Sequence, residues 1–298
     1  MDDITLVGPT DICSFTFTRL TAELATVGLE VNMSKTVTTG RDFQALHPTI
    51  VFNDCPKLLG AYVSRDAEKE RLAMLPVAQK QGLLFERLPL LPPPISMSIL
   101  TVCGVPRWNY FIRTHHPEVA ADSTQLFTLM MFECSAKILG VEDKEYSEEV
   151  LRQLALPIRH GGFGLTDWRE ISPIAYEASE LNSREPGEHI RRQETMTKAF
   201  HLNTLDELKL SNPAFHKHLS RCAARLASQW LHWPTSYATL QPVQFALACL
   251  TRLRWQKKSA TAGTLECHCG FPKDVHTTLP RDILIHTQGC VQNGGPTD

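Results

Sequence analysis

From Asp66 to about residue 258 the apolar residues recur at helical spacing, and prolines cut that pattern into lengths. Pro92-Pro93-Pro94, Pro117, Pro213, Pro234 and Pro242 are the cuts, and Pro76 is a kink within one length. Proline has no N–H for a helix interior, yet it suits a first turn. Strands are therefore confined to the first 65 residues. The fold class this predicts is α+β: a small antiparallel sheet plus a helix, followed by a mainly α-helical remainder.

Within residues 1–65, Ile4 to Val7 is a β-rich run closed by Gly8-Pro9. Thr10 or Asp11 can cap a helix whose stripe is Ile12, Phe15, Leu20, Leu24 and Val27, with Gly28 ending it. Lys35 to Thr39 reads as a short strand, and Lys57 to Val63, around Gly60, as a second. Downstream, Asp66 caps a helix toward Leu88, Pro94 suits the first turn of the next, and a helix from Pro117 stops at Gly140. Ser147 to Leu154 is a shorter helix, Leu156 to Leu165 a glycine-rich loop, and Ile171 to Leu181 another helix. Residues 182–189 read as a linker, and the segment beyond as helix in two or three pieces.

A chain that is 43% hydrophobic and 21% charged folds rather than staying disordered. No apolar run approaches the length of a membrane span, and Met1-Asp2-Asp3-Ile4 lacks the positive charge that opens a secretory signal. The expected location is intracellular, with nucleus and cytoplasm both open. Nine scattered cysteines argue against a disulfide framework.

The net charge of −2 conceals a split. Residues 1–183 carry 16 basic against 23 acidic side chains, residues 184–258 carry 12 against 5, and residues 259–298 carry 2 against 4. The basic segment contains Arg184, Arg191, Arg192, Lys198, Lys217, Arg221, Arg225, Arg252, Arg254, Lys257 and Lys258, interleaved with Trp230, Trp233 and Trp255. Such residues can track phosphates and stack on unpaired bases. They also suit a solvated helical face with tryptophans packed inward, and the sequence leaves both readings open.

In the tail, Cys267-x-Cys269-Gly270, His276 and His286-x-x-x-Cys290 offer thiolates and imidazoles. Cys267, Cys269, His286 and Cys290 make a natural tetrahedral, structural Zn2+ set, with His276 as the alternate fourth ligand. The opposing reading is three free thiols near a frayed end. His115-His116 do not share a helix face, which argues against joint metal binding. No phosphate loop, nucleophile elbow or dinucleotide fingerprint appears.

Five segments occur in an order that resembles the reverse transcriptases of non-long-terminal-repeat retrotransposons. Met1-Asp2-Asp3 looks like the end of their Asp-Asp hairpin. Gly28-Leu29-Glu30-Val31-Asn32-Met33-Ser34-Lys35-Thr36 is similar to the turn that follows it, and Leu58-Leu59-Gly60-Ala61 to the primer-grip hairpin. Val105 to Thr114 resembles a thumb segment, and Leu156 to Leu165, with Pro173, Ala175, Tyr176, Ala178 and Ser179, resembles a segment beyond it. The zinc-like tail has counterparts in the same proteins.

The resemblance implies four regions: a palm remnant (1–65), a helical thumb and following helical region (66–183), a basic helical segment (184–258) and a zinc-knuckle-like tail (259–298). It implies that Asp2 is a catalytic Mg2+ ligand and Asp3 its hairpin neighbour. Asn32 and Lys35 would sit beside the active site and Gly60 in the primer grip. Lys35 reads equally as an ordinary turn lysine, and Gly60 as a β-bulge glycine. The implied function is an RNA-directed DNA polymerase holding RNA and DNA as primer–template. Arg191, Arg192, Arg221, Arg225, Arg252, Arg254, Lys257 and Lys258 would help to grip that nucleic acid. A complete site of this kind needs another carboxylate from an earlier palm strand, so these residues alone are expected not to polymerise without the missing amino-terminal half. The alternative is a non-catalytic nucleic-acid-binding or interaction module derived from such an element.

Overall fold

The computed structural model describes residues 4–141, 146–184, 192–224, 227, 230–231 and 241–254. The chain forms two compact units, residues 1–77 and 78–298. Both are built largely from helices, and the described strands are all in the first.

The first unit opens with α1 (Thr10–Thr26). Pro9 occupies the N-cap without a side-chain bond, so Thr10 is the first helical residue instead of the cap. Asp11 lies in the first turn, where its charge complements the helix dipole. At the other end Gly28 N–H donates to Ala25 O and Leu29 N–H to Leu24 O, a paired closure that uses up two orphan carbonyls.

Beyond a 3-10 turn at Met33–Lys35 come β1 (Val37–Thr38), α2 (Arg41–Leu46) and β2 (Val51–Phe52). Strands β1 and β2 pair in parallel across α2. Then β3 (Lys57–Leu58) and β4 (Ala61–Tyr62) pair antiparallel as a hairpin. The sequence predicts one strand over Lys57 to Val63; the chain instead folds that stretch into this hairpin, turning at Leu59 and Gly60, so Gly60 is a turn glycine and not a β-bulge glycine. The parallel pair is not what the sequence predicted, and neither is α2. Ile4 to Val7 forms no strand; Ile4 and Val7 are exposed. A β-rich run pairs only where a neighbouring edge offers its N–H and C=O groups, which propensity does not report. The unit's small core centres on Phe17, whose ring stands edge-on to Phe43 (5.8 Å) and His47 (5.2 Å), with Ile50 almost fully buried. Ser14 Oγ bonds His47 Nε2 at 2.9 Å and fixes that imidazole on α1.

Helix α3 (Ala67–Arg87) contains Pro76. In the second unit it is followed by α4 (Pro93–Ile99), a π turn (Leu100–Gly104), a 3-10 turn (Val105–Trp108) and α5 (Asn109–Thr114). Next come α6 (Pro117–Ile138), α7 (Glu148–Ala155) and α8 (Trp168–Arg184). The last helices among the described residues are α9 (Arg192–Ser211), α10 (Pro213–Cys222) and α11 (Pro242–Arg252). Helix α6 supplies much of the buried surface. The Trp108 ring stacks on Phe127 at 4.9 Å, and Phe85 meets Phe127 edge-on at 5.3 Å. Trp108 Nε1–H donates to Thr124 Oγ1 at 2.9 Å, so the one polar atom of that fully buried indole is satisfied. Helix α8 packs against α5, α6 and α9, and α11 packs against α4. The described helices of the basic segment, α9, α10 and α11, therefore belong to the same body as the helices before them.

Candidate nucleic-acid interface

The described residues singled out by sequence lie in both units. In the first unit Asn32 builds the turn that presents Lys35. Its side-chain oxygen accepts from Lys35 N–H at 3.3 Å and from Ser34 Oγ at 2.7 Å, while Thr36 Oγ1 donates to Asn32 O at 2.9 Å. An Asx-type closure of this kind rigidifies a short turn. Lys35 is exposed at its end and leads directly to β1. The β3–β4 hairpin turns on Leu59 (φ 49°) and Gly60 (φ 94°), positive at both positions, as tight hairpins of this twist require. Leu59 is 83% exposed at the tip. A leucine held in the left-handed region with its side chain in solvent gains nothing from burial there.

In the second unit the glycine-rich loop is locked between α7, α10 and α11. Gln153, on α7, donates through Nε2 to Gly161 O at 3.1 Å and to Arg252 O at 3.0 Å. His218 Nε2 lies 2.8 Å from Arg252 O, and Cys222 Sγ lies 3.6 Å from the same nitrogen. The Arg252 guanidinium donates from Nη1 to Cys222 O at 2.9 Å and Ala227 O at 3.1 Å, and from Nη2 to Gly162 O at 3.1 Å. It also lies over the Phe163 ring, 5.5 Å from its centre.

Arg252 corrects the sequence reading. It is 6% exposed and bonded to protein carbonyls, and burial lowers its pKa, so its charge serves the fold and is not offered to a phosphate. The signal was present in the sequence. Phe245, Ala248, Cys249 and Arg252 fall at helical spacing on one stripe, and all are buried. Trp230 packs likewise: it meets Phe245 edge-on at 5.5 Å and donates to Ala227 O.

Arg221 and Arg254 are exposed, at the ends of α10 and α11, and Arg192 opens α9 half-buried. Arg254 holds a positive φ of 51°. His115 is buried and His116 caps α6, so the two rings do separate jobs. Asp2, Asp3, Arg191, Arg225, Lys257 and Lys258 lie outside the described residues, as do Trp233, Trp255 and the zinc set Cys267, Cys269, His286 and Cys290 with its alternate His276. Among the described residues no group of three metal-ligating side chains comes together, and no helix is long and apolar enough to cross a membrane.

The sequence reading missed Gln153, His160, His201 and His218. Burial lowers the His218 pKa to about 4, helped by the positive charges of Arg254, Arg252 and Arg221. Burial also lowers His201 to about 4, helped by His160 and Arg159. Both imidazoles are neutral in the fold at pH 7 and titrate near 6.5 when unfolded. The unfolded chain thus binds more protons between those limits, and stability present above pH 6.5 is lost as pH falls toward 4. A loss on the order of 3 kcal/mol per histidine is expected across that window. Thermal melting from pH 7 to 4 checks it; a melting temperature flat to pH 4.5 would count against it.

Compared with known protein families, with curated proteins and with solved structures, the chain gives no match.

Proposed function

We propose that these residues are the carboxy-terminal part of a retroelement reverse transcriptase, with the role of holding a primer–template of RNA and DNA. The observation that carries this reading is in the first unit. The Asn32-braced turn that exposes Lys35 and the Leu59–Gly60 hairpin belong to one compact body, in the order the resemblance calls for. An exposed ammonium on a braced turn can donate to phosphate oxygens, and a tight hairpin tip gives a nucleic-acid backbone close approach. Asp2 and Asp3 would contribute Mg2+ ligands, and the tail cysteines and histidine a structural Zn2+ site. Chemistry would need the further carboxylate of an earlier palm strand.

Binding of a fluorescent RNA template annealed to a DNA primer tests the reading. Micromolar binding at low salt is expected, with log K falling linearly against log salt. Lys35→Ala is expected to weaken it severalfold. No retention of primer–template at low salt would overturn the reading. Primer extension with magnesium is expected to be absent; extension abolished by Asp2→Ala would overturn that part. The second reading, a non-catalytic binding module, is favoured by the exposed Arg221 and Arg254 of the other unit. Under it, Arg221→Gln with Arg254→Gln would weaken binding and Lys35→Ala would not.

A further inference from the structure

The loop between α7 and α8 carries a 3-10 turn, Ile158–His160, whose tip faces α9. Three features meet there. Arg159 is exposed, and its Nε–H donates to His160 Nε2 at 3.3 Å, an acceptor role that nitrogen has only while the ring is neutral and gives up when it takes a proton. Lys198 and His201 stand three residues apart on α9, hence on one face. The His160 and His201 rings lie 6.4 Å apart. His201 is 8% exposed, and its Nδ1 has no hydrogen-bond partner among the described residues. A buried imidazole nitrogen left unpaired costs free energy, and native structures seldom keep one without a use for it.

The fixed charges that act on the pair, Arg159 and Lys198, are positive, and the acidic Glu194 stands one turn before Lys198 on the same helix. Arg159 and Lys198 both act on His160, and His160 and Arg159 act on His201. Burial and these positive neighbours keep both rings neutral. Such surroundings repel a metal cation and would accept an anion. The turn itself is rigid, because Gly161 is pressed against the Leu219 backbone of α10 and Gln153 holds its carbonyl.

We propose that Arg159, His160, Lys198 and His201 form a binding site for a phosphate group, with the two imidazoles acquiring protons as it binds. The site stands on the second unit alone; it rests on the primer–template reading only for the source of the phosphate, a nucleic-acid backbone. Arg159 and Lys198 supply charge at the surface. An anion between them offsets the repulsion that keeps His160 and His201 neutral, so their protonation and its binding reinforce each other. Affinity then rises as pH falls from 8 toward 5.

The test uses the full chain with two probes, an oligothymidylate, whose phosphodiesters and bases do not titrate in this range, and inorganic phosphate. Oligothymidylate affinity is expected to rise severalfold from pH 8 to 5.5. In Arg159→Gln/Lys198→Gln it is expected to fall about tenfold at low salt, with a shallower salt slope and little remaining dependence on pH. Both side chains are exposed, and an unchanged melting temperature confirms that the variant folds. Histidine ring resonances should show two imidazoles titrating at higher pH with the probe than without it. Phosphate binding that the double variant abolishes, without oligonucleotide binding by either protein, keeps the site and assigns it to free phosphate, and it sinks the primer–template reading instead. Oligonucleotide binding equal in wild type and double variant, or histidine titrations unmoved by either probe, overturns this inference and leaves that reading intact.

Discussion

Replacing Arg252 with alanine is expected to lower the free energy of unfolding by about 3–5 kcal/mol, a large share of what a domain has. The guanidinium supplies donors to Gly162 O, Cys222 O and Ala227 O, which belong to the glycine loop, the end of α10 and the chain beyond it. Truncation takes the guanidinium away from all three; Ala227 O keeps the Trp230 indole N–H, but Gly162 O and Cys222 O lose the side-chain donor, and a buried acceptor left alone costs about 1–3 kcal/mol. The cavity adds to this, since the side chain also covers the Phe163 ring. Arg252→Met would restore volume without donors and recover only the packing part. Arg252→Lys keeps a charge but not the planar fork that reaches several acceptors, so it should fall between the two. Denaturant unfolding followed by circular dichroism measures the loss, and amide exchange should show the glycine loop and α10 opening first. A midpoint within experimental error of wild type for Arg252→Ala would mean that the guanidinium is not the tie these distances describe.

Arg252 also shows what the sequence could and could not carry. Helix positions were legible because proline and glycine mark them physically. Pro117 starts α6, Pro213 starts α10, Pro242 starts α11, and Gly28 closes α1. The tally of charge in residues 184–258 was legible too, but not the direction in which each charge points. Arg252 belongs to the stripe Phe245, Ala248 and Cys249, and His218 to the stripe Phe215, Leu219 and Cys222. Both were placed by helical phase, a signal available in the sequence and outweighed by residue type. The pairing of β1 with β2 was not legible. Each strand has two residues, and the parallel register Val37 with Val51 depends on the intervening α2, which is too short to show a period. The 6.4 Å approach of His160 to His201 joins a loop to a helix 41 positions later and has no local signature at all.

Gly162→Ala is expected to be severely damaging for the addition of one carbon. A Cβ at this position would stand 2.0 Å from Leu156 O, 2.5 Å from Leu156 C and 2.6 Å from Gln153 O. All three are backbone atoms, so no side chain can swing aside. Leu156 O is already the acceptor for Gly164 N–H at 2.8 Å, and Gly162 O is the acceptor for Arg252. Relief of the clash must therefore break the loop's own closure, its bond to α11, or the end of α7. A cost on the order of 4 kcal/mol follows, at the extreme of single substitutions and of the kind that comes from a named steric conflict. Gly161→Ala should be comparably severe, with φ +90° and a Cβ 2.3 Å from Leu219 O. Gly164 provides the contrast. Its φ is +75°, but nothing lies within 4 Å of the added atom, so Gly164→Ala carries only the conformational penalty of about 1 kcal/mol. Urea midpoints for the three variants give the comparison directly. The order Gly162 and Gly161 far below Gly164 supports a loop pinned by backbone contact. Equal losses at all three positions would place the glycine requirement in chain conformation alone, and the pressed geometry against α7 and α10 would then not be what holds the loop in solution.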